Sequence, residues 1–259
     1  MKTLRLQTLI ALQTIAARET GRYLRIWIQT LVPPAITMTL YFIIFGNLIG
    51  PRIGEMDGFT YMDFIVPGII MMAIITSSYA NVSSSFFGAK FQKHIEEILV
   101  SPTPNSVLLL GYVLGGTGRG LLVGLIVTGV SLLFTDMKIY NLPITLSVVV
   151  LTAVLFSLGG FINGILAKKF DDISVVPTFV LTPLTYLGGV FYSINLLPEP
   201  WQTISLVNPV LYMVNAFRYG MLGTSDISIG VAYLLILGFI LLLVSICLLL
   251  LGRGTGLRE

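Results

Sequence analysis

Residues 175–220 read VVPTFVLTPLTYLGGVFYSINLLPEPWQTISLVNPVLYMVNAFRYG. The run from Ile173 to Ile194 holds no charged residue, and its ~22 residues would span roughly 33 Å as a helix, enough to cross a hydrocarbon core. From Leu196 to Gly220 the chain stays apolar but is punctuated by Pro198, Pro200 and the pair Asn208-Pro209, with Arg218 near its end. A single spanning helix gives no reason for such punctuation. Two short helices dipping into one leaflet, each opening on a proline, account for it.

Composition extends the reading to the whole chain. Of 259 residues, 55% are hydrophobic and 10% charged, with a mean hydropathy of +0.93, whereas soluble domains carry about 25% charged residues. A chain this apolar is an integral membrane protein. Its net charge of +3 reflects residues placed beside membrane ends, which predicts orientation rather than a nucleic-acid partner. Cys247 is the only cysteine, so no intrachain disulfide or thiolate metal site can form. The first 25 residues lack the continuous apolar core of a signal peptide and read as mature protein.

Residues 3–24 read as an amphipathic, interfacial helix, with Leu6, Leu9, Ile10, Ala16 and Ala17 roughly on one side and Arg5, Arg18 and Arg22 on others. Six spans are expected at 26–48, 64–87, 107–134, 142–167, 173–194 and 229–251, with the re-entrant helices at 196–220 between the fifth and sixth. The first span contains Pro33-Pro34, which membrane helices tolerate where neighbours satisfy the freed carbonyls. Eleven Lys and Arg fall in one set of loops and termini and three (Arg52, Lys138, Arg218) in the other, with Arg119 in neither. The bias predicts that both termini are cytoplasmic and that the short helices after Ile194 face outward.

The longest link on the basic side, Gly88–Ser106, contains a segment over 90–100 that suits a short amphipathic helix stopped by Pro102 and Pro104. Phe91, Ile95, Ile98 and Leu99 share one side of it. It is either a rigid element that transmits a push or a solvated turn. The two halves of the chain share no proline or charge positions, which argues against an inverted-repeat carrier.

Catalytic constellations are missing. There is no GxxxxGK[ST] loop and no HExxH, and His94 is the sole histidine. Asp171-Asp172 precede the fifth span, where they suit a helix N-terminus better than a metal. Arg119 is the one basic residue deep in a span. It is either a packing arginine satisfied by carbonyls or headgroups, or a cavity-lining charge for anionic or amphiphilic cargo. Gly111, Gly115, Gly116, Gly118, Gly120 and Gly124 around it permit close helix packing. Thr76, Ser77, Ser78 and Asn81 in the second span, with Thr178, Thr182, Thr185 and Tyr186 in the fifth, form either a polar lining or interhelical hydrogen bonds. Asn215 and Arg218 fall on one face of the second re-entrant helix, at the rim of a pathway that this helix would cap or gate, with Asp226 a partner for Arg218. An ion-coupled secondary carrier or a non-transporting membrane protein are the alternatives. The lack of buried Asp, Glu or His chains leaves ion coupling little to work with.

Three stretches carry a resemblance: Tyr61-Met62-Asp63-Phe64-Ile65-Val66-Pro67-Gly68; Ile95-Glu96-Glu97-Ile98-Leu99-Val100-Ser101-Pro102; and Pro183 to Ser193 followed by Leu197-Pro198-Glu199-Pro200-Trp201 and Asn208-Pro209. In these the chain resembles the ABC-2 type permease family, the membrane subunits of bacterial ATP-binding-cassette exporters, over essentially its whole length (1–259, one transmembrane domain). The resemblance implies a homodimer in the inner membrane with two copies of a separate ABC ATPase subunit, which would bind ATP and Mg, leaving this chain without a cofactor. It also implies a coupling helix at about Phe91–Leu99, with Phe91, Lys93, His94, Glu96 and Glu97 meeting the ATPase. The cargo it implies is amphiphilic, glycan-type or drug-like.

Overall fold

The computed structural model describes residues 2–101, 103–137 and 139–256, leaving aside the side chains of 2–5, 98 and 99. Pro102 and Lys138, and the Ile98 and Leu99 side chains of the expected amphipathic face, therefore lie outside the described residues. The chain is built almost wholly of helices: α1 (Lys2–Arg25), α2 (Trp27–Thr30), α3 (Val32–Tyr41), α4 (Gly50–Ile53), α5 (Tyr61–Phe91), α6 (His94–Val100), α7 (Asn105–Ser131), α8 (Leu142–Leu166), α9 (Phe170–Val176), α10 (Thr182–Tyr186), α11 (Glu199–Leu206), α12 (Pro209–Leu222) and α13 (Ile229–Arg253). Wider π-helical turns, Phe42–Ile49 and Pro177–Leu181, join α3 to α4 and α9 to α10. A two-stranded hairpin, β1 (Glu55–Met56) and β2 (Phe59–Thr60), turns at Asp57-Gly58, both with positive φ as a tight hairpin turn requires.

Among the described residues five helical segments are long and apolar enough to cross a membrane: Trp27–Ile53, Tyr61–Phe91, Asn105–Ser131, Leu142–Leu166 and Ile229–Arg253. The chain is an all-α polytopic membrane protein. The segment expected as one span over 173–194 differs. Its helical course, α9 to α10, comes in pieces of 7, 5 and 5 residues and ends at Tyr186, about 25 Å at 1.5 Å per residue. The chain then turns through Gly188 and Gly189, the latter at φ +70°, a conformation a side-chain-bearing residue rarely adopts. The turn is held from outside. Asn208 caps α12 by accepting from the Val210 amide at 2.9 Å, and its Nδ2 donates to the carbonyl of Leu184 at 2.6 Å, so the start of α12 also seals the end of α10.

The segment expected to be helical over 90–100 is likewise divided. Lys90 and Phe91 finish α5, Lys93 takes a left-handed φ of 62°, and α6 starts afresh at His94. Lys90 is drawn away from the link because its ammonium donates to the carbonyls of Ile165 and Ala167, at 2.9 and 2.8 Å, which end α8 with no amide of their own. Asp171 and Asp172 stand in the first turn of α9. The Asp172 carboxylate accepts from the backbone amides of Lys168 and Lys169 at 2.8 and 3.0 Å, which holds it below the usual carboxylate range.

The bundle is arranged around α5, whose most apolar window is 89% buried, against 17% for the first and last spans. The glycines of α7 explain how the neighbours come so close. Gly116, Gly120 and Gly124, four apart, face Val82, Ser78 and Ile74, so α5 and α7 run antiparallel. A second stripe, Gly111 and Gly115, faces Ile15 and Glu19 of α1, which follows α7 in the same direction. Small residues at four-residue spacing let backbones approach where side chains would hold them apart. The helix expected to lie in the headgroup plane thus packs lengthwise on a span over its second half. Its first half keeps Leu6, Leu9 and Ile10 exposed.

Candidate functional site

Pro33 and Pro34 have no amide hydrogen, so the carbonyls of Gln29 and Thr30, four residues earlier, lose their helical donors. The helix breaks there, at Leu31 between α2 and α3. Arg119, on α7, reaches across and donates one Nη to the Thr30 carbonyl at 3.0 Å. Its Nε is buried and has no partner among the described residues. The break and the arginine together open one end of a groove.

That groove has a volume of about 430 Å³ and runs between the first span, α5 and α10. Gln29, Pro33 and Pro34 line one wall; Thr76, Ser77 and Ala80 of α5 line the floor; Thr182, Thr185 and Tyr186 line the other wall. At the end away from Arg119 the hydroxyls of Tyr41 and Tyr186 meet at 2.8 Å. Phe45 stacks on Tyr41 and Phe191 on Tyr186, and the two phenylalanine rings meet at a tilt with centroids 4.7 Å apart. Four of the singled-out residues, Arg119, Thr182, Thr185 and Tyr186, therefore come together in one place. Arg119 is the only charged residue among the described residues lining it.

Asn215 and Arg218 do not join them. Both are buried, at 0% and 1% exposure, rather than standing at an open rim. The Arg218 guanidinium lies 3.9 Å from the centre of the Phe64 ring and donates to the carbonyl of Gly189, tying α12 to α5 and to the turn after α10. The expected ion pair with Asp226 is not formed. The Asp226 carboxylate accepts from Ser193 Oγ, Asn195 Nδ2 and the Ile194 amide, at 2.7, 3.1 and 3.2 Å, and its own amide donates to Asn215 Oδ1 at 2.9 Å. Asp226 thus serves the 193–195 turn, whose donors reach it first, and Arg218 acts on it only through space.

At the basic end, Phe91, Lys93, His94, Glu96 and Glu97 are all exposed, while Ile95 between them is buried. Phe91 also meets Phe170, ring centroids 4.9 Å apart. A second groove, about 580 Å³, separates this link from α1 and is lined by Arg18, Arg22, Arg25, Gln92 and His94. Beneath it lies a buried acid that the sequence did not single out. Glu19 is 0% exposed and contacts Arg18 and Arg22 at 3.8 and 3.4 Å. Arg22 continues to Asn81 of α5, at 2.8 Å to Oδ1 and 3.0 Å to its carbonyl. The available signal was Glu19 itself, the one acid in a basic helix.

The family model for the ABC-2 type transporter matches residues 10–222. The chain belongs to the ABC-2 type transporter family. It is 59% identical over 250 residues, 96% of its own length and 98% of the relative's, to the inner membrane transport permease YadH of Escherichia coli K12. It is also 26% identical over 202 residues to nodulation protein J of Rhizobium meliloti, covering 74% of this chain and 73% of that one. The ABC-2 chain is accordingly a multi-pass inner-membrane permease of an ABC transporter, a non-enzymatic subunit whose family implies an ABC ATPase partner.

Proposed function

We propose that the ABC-2 chain is an export permease, that two copies assemble with two copies of the ATPase, and that the 430 Å³ groove is one copy's half of the pathway. ATP and Mg belong to the ATPase; this chain carries no cofactor. The observation that carries this reading is the convergence of Arg119, Thr182, Thr185 and Tyr186 on one groove that stands open along the first span and α10, where a second copy completes it. Phe179, Val180 and Tyr186 beside it, and Ile36 and Leu40 on the first span, are exposed apolar residues and suit a symmetric contact. In this reading α9–α10 is a sixth, shortened crossing, and α11 and α12 are re-entrant helices that cap the outer exit. Both termini are cytoplasmic. Phe91, Lys93, His94, Glu96 and Glu97 dock on the ATPase, whose nucleotide-driven motion reaches the spans through α6 and α1.

The cargo in this reading is amphiphilic, glycan-type or drug-like and moves outward; the relative named a transport permease supports transport. Co-expression with a candidate ABC ATPase subunit, followed by affinity purification through this chain alone, tests the assembly. The expected product holds two of each subunit and hydrolyses ATP. A stable monomer that transports without ATP overturns the proposal.

A further inference from the structure

The groove is asymmetric in charge. Glu19, the acid of α1 that packs against α7 at Gly115, is already engaged with Arg18 and Arg22. Arg22 lies close enough to Arg119 to repel it. No carboxylate lines the groove, and none pairs with Arg119 among the described residues. A guanidinium held within a span without a counter-ion is costly. One Nη is committed to the Thr30 carbonyl, whereas the buried Nε has no partner.

The hydroxyls further along have the opposite polarity. Thr76 donates to the carbonyl of Met72 at 2.9 Å, Thr182 to that of Pro177 at 3.0 Å, and Thr185 to that of Thr182 at 2.8 Å. Their hydrogens are spent on their own helices, so they present lone pairs to the groove. Such a lining accepts hydrogen bonds from hydroxyl groups. The Tyr41–Tyr186 pair closes the far end with two ring faces and the one phenolic hydrogen that their mutual bond leaves over.

We infer that the groove takes the anionic, polyhydroxylated head of an amphiphile, a phosphate or carboxylate bearing glycerol or sugar hydroxyls, with the anion on Arg119 and the hydroxyls on Thr76, Thr182 and Thr185. This rests on the permease reading and specifies its cargo. The volume, about 430 Å³, lies in the usual range for small-molecule sites. The chemistry is shared by a lipid head and by a free polyol phosphate.

The test is displacement of a fluorescent lysophosphatidylglycerol from the purified permease–ATPase complex in dodecyl maltoside. The competitors are unlabelled lysophosphatidylglycerol, the uncharged monoacylglycerol with the same acyl chain, and glycerol 3-phosphate. The wild-type complex should prefer the phosphoglycerol head over the uncharged glycerol head by about tenfold, the factor expected for one charge-assisted contact. Arg119→Gln should bring that ratio close to one, and Arg119→Lys should keep part of it. Gln29→Glu leaves Arg119 in place and supplies a carboxylate to the same groove. It should abolish the preference too, which keeps the test decisive if Arg119→Gln does not fold. Displacement by glycerol 3-phosphate alone assigns a soluble source, and dependence on the acyl chain assigns a lipid. Equal binding of lysophosphatidylglycerol and monoacylglycerol, or an unchanged ratio in Gln29→Glu or in folded Arg119→Gln, overturns the inference. If no ATPase co-purifies, the export proposal falls by itself, and the same ratio measured on the chain alone still decides the head group.

Discussion

Arg119 of α7 donates to the carbonyl of Thr30 at 3.0 Å across 89 residues of sequence, and that carbonyl is free because Pro34 has no amide hydrogen to offer it. A break in one span and a charge in another are therefore two halves of one feature. Arg119→Met should destabilise the chain by about 1–3 kcal/mol, the cost of orphaning a buried acceptor. In a Pro34→Ala background the Thr30 carbonyl regains a helical donor and most of that cost should vanish. A double-mutant cycle in SDS unfolding reads the coupling. Strict additivity would mean that the bond to Thr30 is not what Arg119 contributes to folding.

The antiparallel seam between α5 and α7 rests on Gly120, where an added Cβ would collide with Ser78 Oγ. Gly120→Val should force the two helices apart at the most buried part of the bundle, with a loss on the order of 3 kcal/mol, typical of overpacking. Gly129→Val on the same helix, with open space around it, is the control and should unfold close to wild type. Similar losses from both would point to helix propensity and away from the seam.

Glu19 neutralises two arginines, one of them bonded to Asn81 of the central helix. Glu19→Gln leaves Arg18 and Arg22 facing each other. Because they are 46% and 31% exposed, solvent screens much of the effect, and about 1–2 kcal/mol is expected. ATP hydrolysis by the complex should fall more than stability does, since α1 lies between the basic end and the spans. A variant with full ATPase activity and unchanged unfolding would show that the acid has no part in holding α1.

A Cβ built at Gly188 would stand 2.8 Å from Val210 Cγ1 and 2.9 Å from the Leu184 carbonyl oxygen, so Gly188→Cys with Val210→Cys puts the two side chains in contact once the turn yields slightly. In a Cys247→Ala background, oxidation should tether α12 to the end of α10, block export and leave basal ATP hydrolysis intact, with recovery on reduction. Export that continues through the closed disulfide would reduce α11 and α12 to a fixed cap.

Much of this was legible locally. The long apolar runs announced the spans, and Asn208-Pro209 announced the start of α12, because helix length and proline sterics act within a few residues. The segment 173–194 misled for the same reason. Its composition permits a full crossing, yet Gly188 and Gly189 turn the chain where Asn208 binds the Leu184 carbonyl, a contact that no local pattern records. The pairing expected of Arg218 with Asp226 failed likewise, because Ser193, Ile194 and Asn195 supply nearer donors to that carboxylate.

By itself the sequence determined the solvent and the places where prolines break the helices, since these follow from side-chain hydropathy and from prolines that cannot donate. Only the tertiary structure decided which partner each break would find: Arg119 for Thr30, Asn208 for Leu184, Glu19 for two arginines on its own helix and, through Arg22, for the central one. The Arg119–Thr30, Asn208–Leu184 and Arg22–Asn81 contacts join residues far apart in the chain, and the glycine stripes of α7 bring α1 and α5 close on either side of it.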